Sequence, residues 1–149
     1  MSKQVAVPYE TTLRVRDTCL CLHTQRAARA LARCFDEAFR HLGLTSGQFS
    51  LLMSLNRPEP PAMAAVAVLL GVDRTTLTAA LKPLERRGLV EVKAGSQDKR
   101  SRLLTLTPAG LTLLAAAIPV WERTHAEAEG ALEQPGADRL RSALRELSR

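Results

Sequence analysis

The chain has 149 residues, 46% of them hydrophobic but only 3% aromatic. That length sustains one domain with a core, or a small domain carrying long helices, and the aliphatic bias favours an α-rich fold. A formal net charge of +6 suits a polyanionic partner or a membrane surface, but no run is long or apolar enough to span a bilayer and no apolar signal stretch opens the chain, so a cytoplasmic protein with reduced thiols is expected.

Met1 to Tyr9 reads as a loose arm. From Glu10 to His41 one long amphipathic helix is predicted, with Leu13, Leu20, Ala27, Leu31, Phe35, Phe39 and Leu42 near one stripe and arginines over much of the rest. Cys19, Cys21 and Cys34 all fall on it. Residues two apart on a straight helix point to nearly opposite sides, and Cys34 lies about 20 Å from Cys21 at 1.5 Å per residue. A disulfide within such a helix is therefore excluded, leaving only a partner chain or a small thiol. Gly43 stops the helix, and Thr45 or Ser46 caps a second one, about Gly47 to Leu55, with Phe49, Leu52 and Met53 facing inward.

Pro58-Glu59-Pro60-Pro61 leads through an expected short edge strand into a small apolar helix, Ala62 to Leu70, expected to be pinned between others. Gly71-Val72 then makes a tight turn and Asp73 caps the next helix, whose opening carries Arg74, Thr75, Thr76 and Thr78. These side chains bond base edges and phosphates. Leu77, Leu81 and Leu84 form an apolar seam opposite them, Lys82 lies further along the polar face, and Pro83 is expected to kink the helix. Arg86-Arg87-Gly88 ends it. Two strand-like runs follow, Leu89 to Lys93 and Arg102 to Thr107, around a polar tip bearing Asp98, Lys99 and Arg100. Together these elements outline a helix-turn-helix with a β-hairpin wing. In such proteins the second helix enters the major groove, and an arginine-bearing tip suits the narrow minor groove.

Thr107-Pro108 reads as the cap and first position of another helix, which Pro119 is expected to break or bend just before Trp121. Gln134-Pro135-Gly136 marks a further break, and a last helix runs from about Asp138 to Leu147. The first and last helices are too apolar on one face to stand alone, so a symmetric dimer is expected to cover them. That dimer would hold two recognition helices about 34 Å apart, one turn of B-DNA.

The run RTTLTAALKPLERRGLVEV, followed by DKRSRLLTLTPAG and preceded by LGLTSGQFSLLMSL, resembles the signature of the MarR family of transcription regulators. The resemblance implies a homodimer on a pseudo-palindromic operator in double-stranded DNA, released by a small-molecule effector or an oxidant. It further implies that Asp98 orients Arg100 for the minor groove, and that a ligand pocket lies where the flanking helices meet the DNA domain, near Phe49 and Trp121. Counted back from LGLT, Cys21 falls where the hydroperoxide sensors of that family carry their reactive cysteine, although Phe35 and Ser46 stand where those sensors have supporting tyrosines.

The expected organisation is mainly α with a small β-hairpin wing. An arm and dimerisation helix occupy residues 1–45, the winged helix-turn-helix 46–107, and C-terminal dimerisation helices 108–149. The function expected is that of a dimeric, sequence-specific transcription regulator, a repressor released by a small phenolic or amphipathic ligand. A thiol-based regulator acting through Cys21 is the alternative within the class. From other classes come a protein-interaction winged helix without DNA binding and a small thiol-dependent enzyme. His23, His41 and His125 with Glu122 and Glu129 are too sparse for a metal site, and neither a cofactor motif nor a catalytic constellation is present.

Overall fold

A computed structural model describes residues 5–134 and 136–149, so the first four residues of the expected arm and Pro135 of the expected break lie outside the described residues. The order of elements is α1 (Tyr9–Thr18), α2 (Leu20–Phe39), a 3₁₀ turn (Arg40–Leu42), α3 (Ser46–Leu55), α4 (Met63–Leu70), α5 (Arg74–Arg86), β1 (Val90–Ala94), β2 (Arg102–Leu106), α6 (Pro108–Gly130) and α7 (Ala137–Leu147). The architecture is the expected one, helical with a two-stranded antiparallel hairpin.

The core lies where α3, α4, α5 and the hairpin meet the C-terminal end of α2 and the middle of α6. Phe39, Leu52, Leu84 and Leu104 are fully buried there, and Phe39 stacks on Phe49 with ring centroids 4.8 Å apart. Gly43 ends the 3₁₀ turn in the left-handed conformation, at φ 66°. Thr45 then opens α3 with a reciprocal capping box, its hydroxyl accepting from the Gln48 amide while the Gln48 side chain accepts from its own amide.

The single helix predicted from Glu10 to His41 is two. Cys19 stands between them with extended backbone, φ −68° and ψ 112°. Its N–H closes α1 on the Val15 carbonyl while its Sγ accepts from the Leu22 amide at 3.5 Å, so it caps α2 instead of continuing α1. α1 buries no residue and α2 buries only Phe39, so no packing enforces a continuous rod.

Neither internal proline ends its helix. α6 runs unbroken through Pro119 and α5 through Pro83. The carbonyls deprived of a partner belong to Ala115 and Ala79, both exposed residues, where water can take the lost bond. The edge strand expected after Pro58 shrinks to one bridge, Ala62 to Leu103, with the Leu104 amide donating to the Pro61 carbonyl at 3.0 Å. Proline has no N–H with which to extend that ladder.

α4 is not pinned on all sides. Met63, Val66 and Ala67 are buried, but Val68 is 82% and Leu69 61% exposed. Met53, expected inward on α3, is likewise exposed.

Candidate nucleic-acid interface

The polar face of α5 is set by the turn before it. Gly71 takes φ 67°, the Val72 amide bonds back to Ala67 at 3.0 Å, and α5 leaves at 102° to α4. That angle is usual for a helix-turn-helix. Asp73 Oδ1 accepts from the Thr76 amide at 2.7 Å. The Thr76 backbone amide, then its side-chain hydroxyl, hold the Asp73 carboxyl below the ordinary carboxylate range. A charged cap suits the positive end of the helix dipole.

With Leu77, Leu81 and Leu84 buried on one side, α5 turns Arg74, Thr75, Thr76, Thr78 and Lys82 to solvent. They do not form one uniform stripe. Thr78 donates its hydroxyl to the Arg74 carbonyl at 2.8 Å, leaving its oxygen as an acceptor only. Thr76 faces α3 across a cavity of about 480 Å³ shared with Thr45, Gln48, Leu51 and Pro83. Arg74 and Lys82 turn toward the wing.

In the hairpin, Val90 pairs with Leu106 and Ala94 with Arg102. Its loop is a folded turn: Asp98 Oδ1 accepts from the Arg100 amide at 2.9 Å, and the Asp98 carbonyl accepts from the Ser101 hydroxyl at 2.8 Å. The expected Asp98–Arg100 link is therefore made through backbone, because in a turn the amide two residues on is the nearest donor to an aspartate. Arg102 folds back, its Nη1 donating to the Lys99 carbonyl at 3.0 Å and the Ser101 carbonyl at 3.3 Å.

α5 and the wing meet at two adjoining clefts of about 250 Å³ each. One is lined by Arg74, Asp98, Arg100 and Arg102 against the start of α4, the other by Arg74, Thr78, Lys82, Glu85 and Arg102. Lys99 and Thr75 line neither. Among the described residues no ion pair engages Arg74, Lys82, Lys99, Arg100 or Arg102. Four cations from two elements thus share one face without acidic neutralisation by pairing, which favours a polyanion.

Two supports escaped the sequence reading. Arg87 Nη1 donates to the Gly43 carbonyl at 2.8 Å, tying the end of α5 to the turn after α2, and the Thr107 hydroxyl donates to the Gly88 carbonyl at 2.6 Å. Both span distant parts of the chain, and no local pattern announces them.

A second concavity lies against the C-terminal end of α4, at Leu69. Phe49 and Trp121 stack with centroids 6.4 Å apart, and together with Met53, Ser54, Leu69 and Ile118 they line a mostly apolar cavity of about 380 Å³. His125 in turn stacks on Trp121 at 4.6 Å, with Nε2 3.6 Å from Glu129 Oε1. Met53, Leu69 and Ile118 were missed because each comes from a different helix. Cys21 and Cys34 are exposed and Cys19 half-buried. Among the described residues no three metal-ligating side chains cluster, and no single helix is long and apolar enough to cross a membrane.

A helix-turn-helix crossed at this angle, with a basic recognition helix and a basic hairpin on one face, defines a winged helix of the DNA-binding class. The MarR family model matches residues 44–101. In structure the chain is similar to the transcriptional regulator MosR of M. tuberculosis in complex with DNA, with 37% identity, a TM-score of 0.80, and coverage of 88% of this chain and 94% of that one. The repressor CouR of Rhodococcus jostii, bound to a 23-mer duplex, is 28% identical with a TM-score of 0.79 and coverage of 91% and 96%. In sequence the chain is 29% identical to the organic hydroperoxide resistance transcriptional regulator of Bacillus subtilis, covering 68% of this chain and 69% of that protein. The chain belongs to the MarR family of transcriptional regulators, DNA-binding winged helix proteins that are not enzymes.

Proposed function

We propose that this regulator acts as a homodimeric repressor on a pseudo-palindromic operator. The observation that carries this reading is the convergence of Arg74 and Lys82 from α5 with Arg100 and Arg102 from the wing around shared clefts. Arg74, Thr75 and Thr76 meet base edges and phosphates in the major groove, with Thr78 accepting only. Lys82 and Lys99 neutralise phosphate, Asp98 shapes the wing turn, and Arg100 enters the minor groove. Arg102 braces the tip. Residues 46–107 form the reading unit, while 1–45 and 108–149 make the dimer that spaces two such units.

The effector is a small aromatic or amphipathic compound held in the cavity that Phe49 and Trp121 line. Its cavity touches α3, α4 and α6, so a bound molecule bears on the angle between reading unit and dimer helices. Release requires that the compound bind the non-binding conformation more tightly, and the relief cannot exceed that difference.

The test is titration of the purified protein against a duplex taken from the DNA flanking its own gene, over a range of salt. Arg74→Ala with Arg100→Ala should weaken binding and flatten the slope of log affinity on log salt by roughly two contacts. An unchanged affinity and slope would remove the DNA reading and leave a winged helix serving a protein partner.

A further inference from the structure

The recognition helix ends on a junction that neither the cationic clefts nor the aromatic cavity uses. Arg87 caps α5, Gly88 takes φ 70°, and the Leu89 amide reaches back to the Leu84 carbonyl at 3.0 Å, with both leucines buried. This is a Schellman turn, which satisfies the last carbonyls of a helix and packs an apolar residue beneath its end. Three bonds leave the turn. Arg87 Nη1 donates to the Gly43 carbonyl at 2.8 Å, the Thr107 hydroxyl to the Gly88 carbonyl at 2.6 Å, and the Thr107 amide to the Leu89 carbonyl at 3.1 Å. Gly43 closes the turn after α2, and Thr107 caps α6. Residues 87–89 therefore join the recognition helix to both long flanking helices at once. Of these three bonds only the one from Arg87 reaches the end of α2. Among the described residues no ion pair engages Arg87, so its charge is directed at that backbone carbonyl.

We propose that Arg87 is a positioning residue for operator binding: its bond to Gly43 fixes the angle between the reading unit and α2, and so selects the half-site spacing that the dimer accepts. Leverage makes one bond matter here. α5 has 13 residues, so its DNA-reading start lies about 20 Å from the junction at 1.5 Å per residue. Over that arm a rotation of roughly 10° carries Arg74 about 3.5 Å, close to the rise of one base pair. Leu77, Leu81 and Leu84 seat α5 inside the reading unit, so the unit turns as one body and keeps its own contacts with DNA. The Arg87–Gly43 pair is exposed and water competes for it, so losing it changes selectivity several-fold without abolishing binding. Glycine is required on the accepting side. Gly43 holds φ 66°, and a Cβ there would stand 3.3 Å from Arg87 Nη2. Gly43→Ala thus disturbs the pair without removing a charge.

The effect on spacing rests on the dimeric reading, because one reading unit alone has no spacing to choose. The strut within each protomer does not depend on that reading.

The full-length protein is titrated against the duplex flanking its own gene, with half-sites mapped by footprinting. Companion duplexes have base pairs added or removed between the half-sites, or carry one half-site alone. The unsubstituted protein should favour the native spacing by roughly tenfold or more. Arg87→Ala and Gly43→Ala should each cut that preference about fivefold, while affinity for one half-site and its salt slope stay unchanged. The double variant should add little to either single change, because both break the same bond. In Arg87→Ala, amide exchange at Gly43, Leu44, Gly88 and Leu89, the amides of the two joined turns, should rise. Variants that keep the full preference for native spacing would overturn the proposal. So would an Arg87→Ala protein that loses affinity equally on every duplex, one half-site included, with a flatter salt slope and a silent Gly43→Ala, since Arg87 would then be a phosphate contact. If the unsubstituted protein binds one half-site as tightly as the pair, the dimeric reading falls instead. The strut is then judged on amide exchange, where unchanged rates would remove it.

Discussion

Asp73 couples the start of the recognition helix to pH. Its carboxyl is held below the ordinary range by the Thr76 amide, so it stabilises the folded state above its unfolded value and loses that contribution as the pH falls below about 4. The carboxylate is exposed, so the effect is modest and screened by salt. Thermal melts should show the unsubstituted protein losing stability more steeply between about pH 5 and 3 than Asp73→Ala, which starts lower. The cations divide by role. Lys82→Ala should weaken binding evenly across DNA sequences and lower the salt slope by about one, whereas Arg100→Ala should also erase a preference for narrow, A·T-rich flanks. Competition binding with duplexes differing only in those flanks separates the two; equal loss on all of them by Arg100→Ala would exclude minor-groove reading.

At the scale of elements, the hairpin and α6 are locked by one close approach. A Cβ on Gly110 would press into the Leu89 carbonyl oxygen, a backbone atom at the start of the hairpin that cannot swing aside. Gly110→Ala should therefore cost roughly 1–3 kcal/mol. Gly130, at the far end of the same helix, has open space where its Cβ would go, and Gly130→Ala should be neutral or gain up to about 1 kcal/mol. Denaturant titration of both variants checks the contrast. Phe39 joins α2 to α3 through its stack on Phe49, and Phe39→Ala should cost about 3–5 kcal/mol.

For the whole molecule, the dimer proposal rests on apolar surface left uncovered in one protomer. α7 buries nothing, yet Leu140, Leu144 and Leu147 lie along its apolar face, and α1 is equally bare. A charge on such a face opposes its burial against a second copy. Leu140→Glu with Leu144→Glu should shift sedimentation from dimer to monomer and lower operator affinity, since two half-sites are then no longer held together. A double variant that stays dimeric would place the interface elsewhere.

The chain order of the fold was written locally. Gly71, Asp73, Gly88 and Thr107-Pro108 are punctuation whose physics acts within a few residues, so the turn, the recognition helix, the hairpin and the start of α6 could be placed from sequence. The same holds for the identities of Arg74, Lys82 and Arg100, which a helix period and a turn carry to solvent. Only the tertiary structure decided what depends on distant neighbours. Prolines 83 and 119 do not interrupt their helices, because the carbonyls they deprive belong to solvent-exposed residues. Leu69 and Met53 belong to the wall of a cavity and not to the core, because three helices leave a gap beside the Phe49–Trp121 stack. Arg102 braces the wing, because its tip folds back within reach. The first helix breaks at Cys19, because nothing packed against it repays a continuous rod. Hydrophobic period records which residues can be buried; whether another element arrives to bury them is a property of the whole chain.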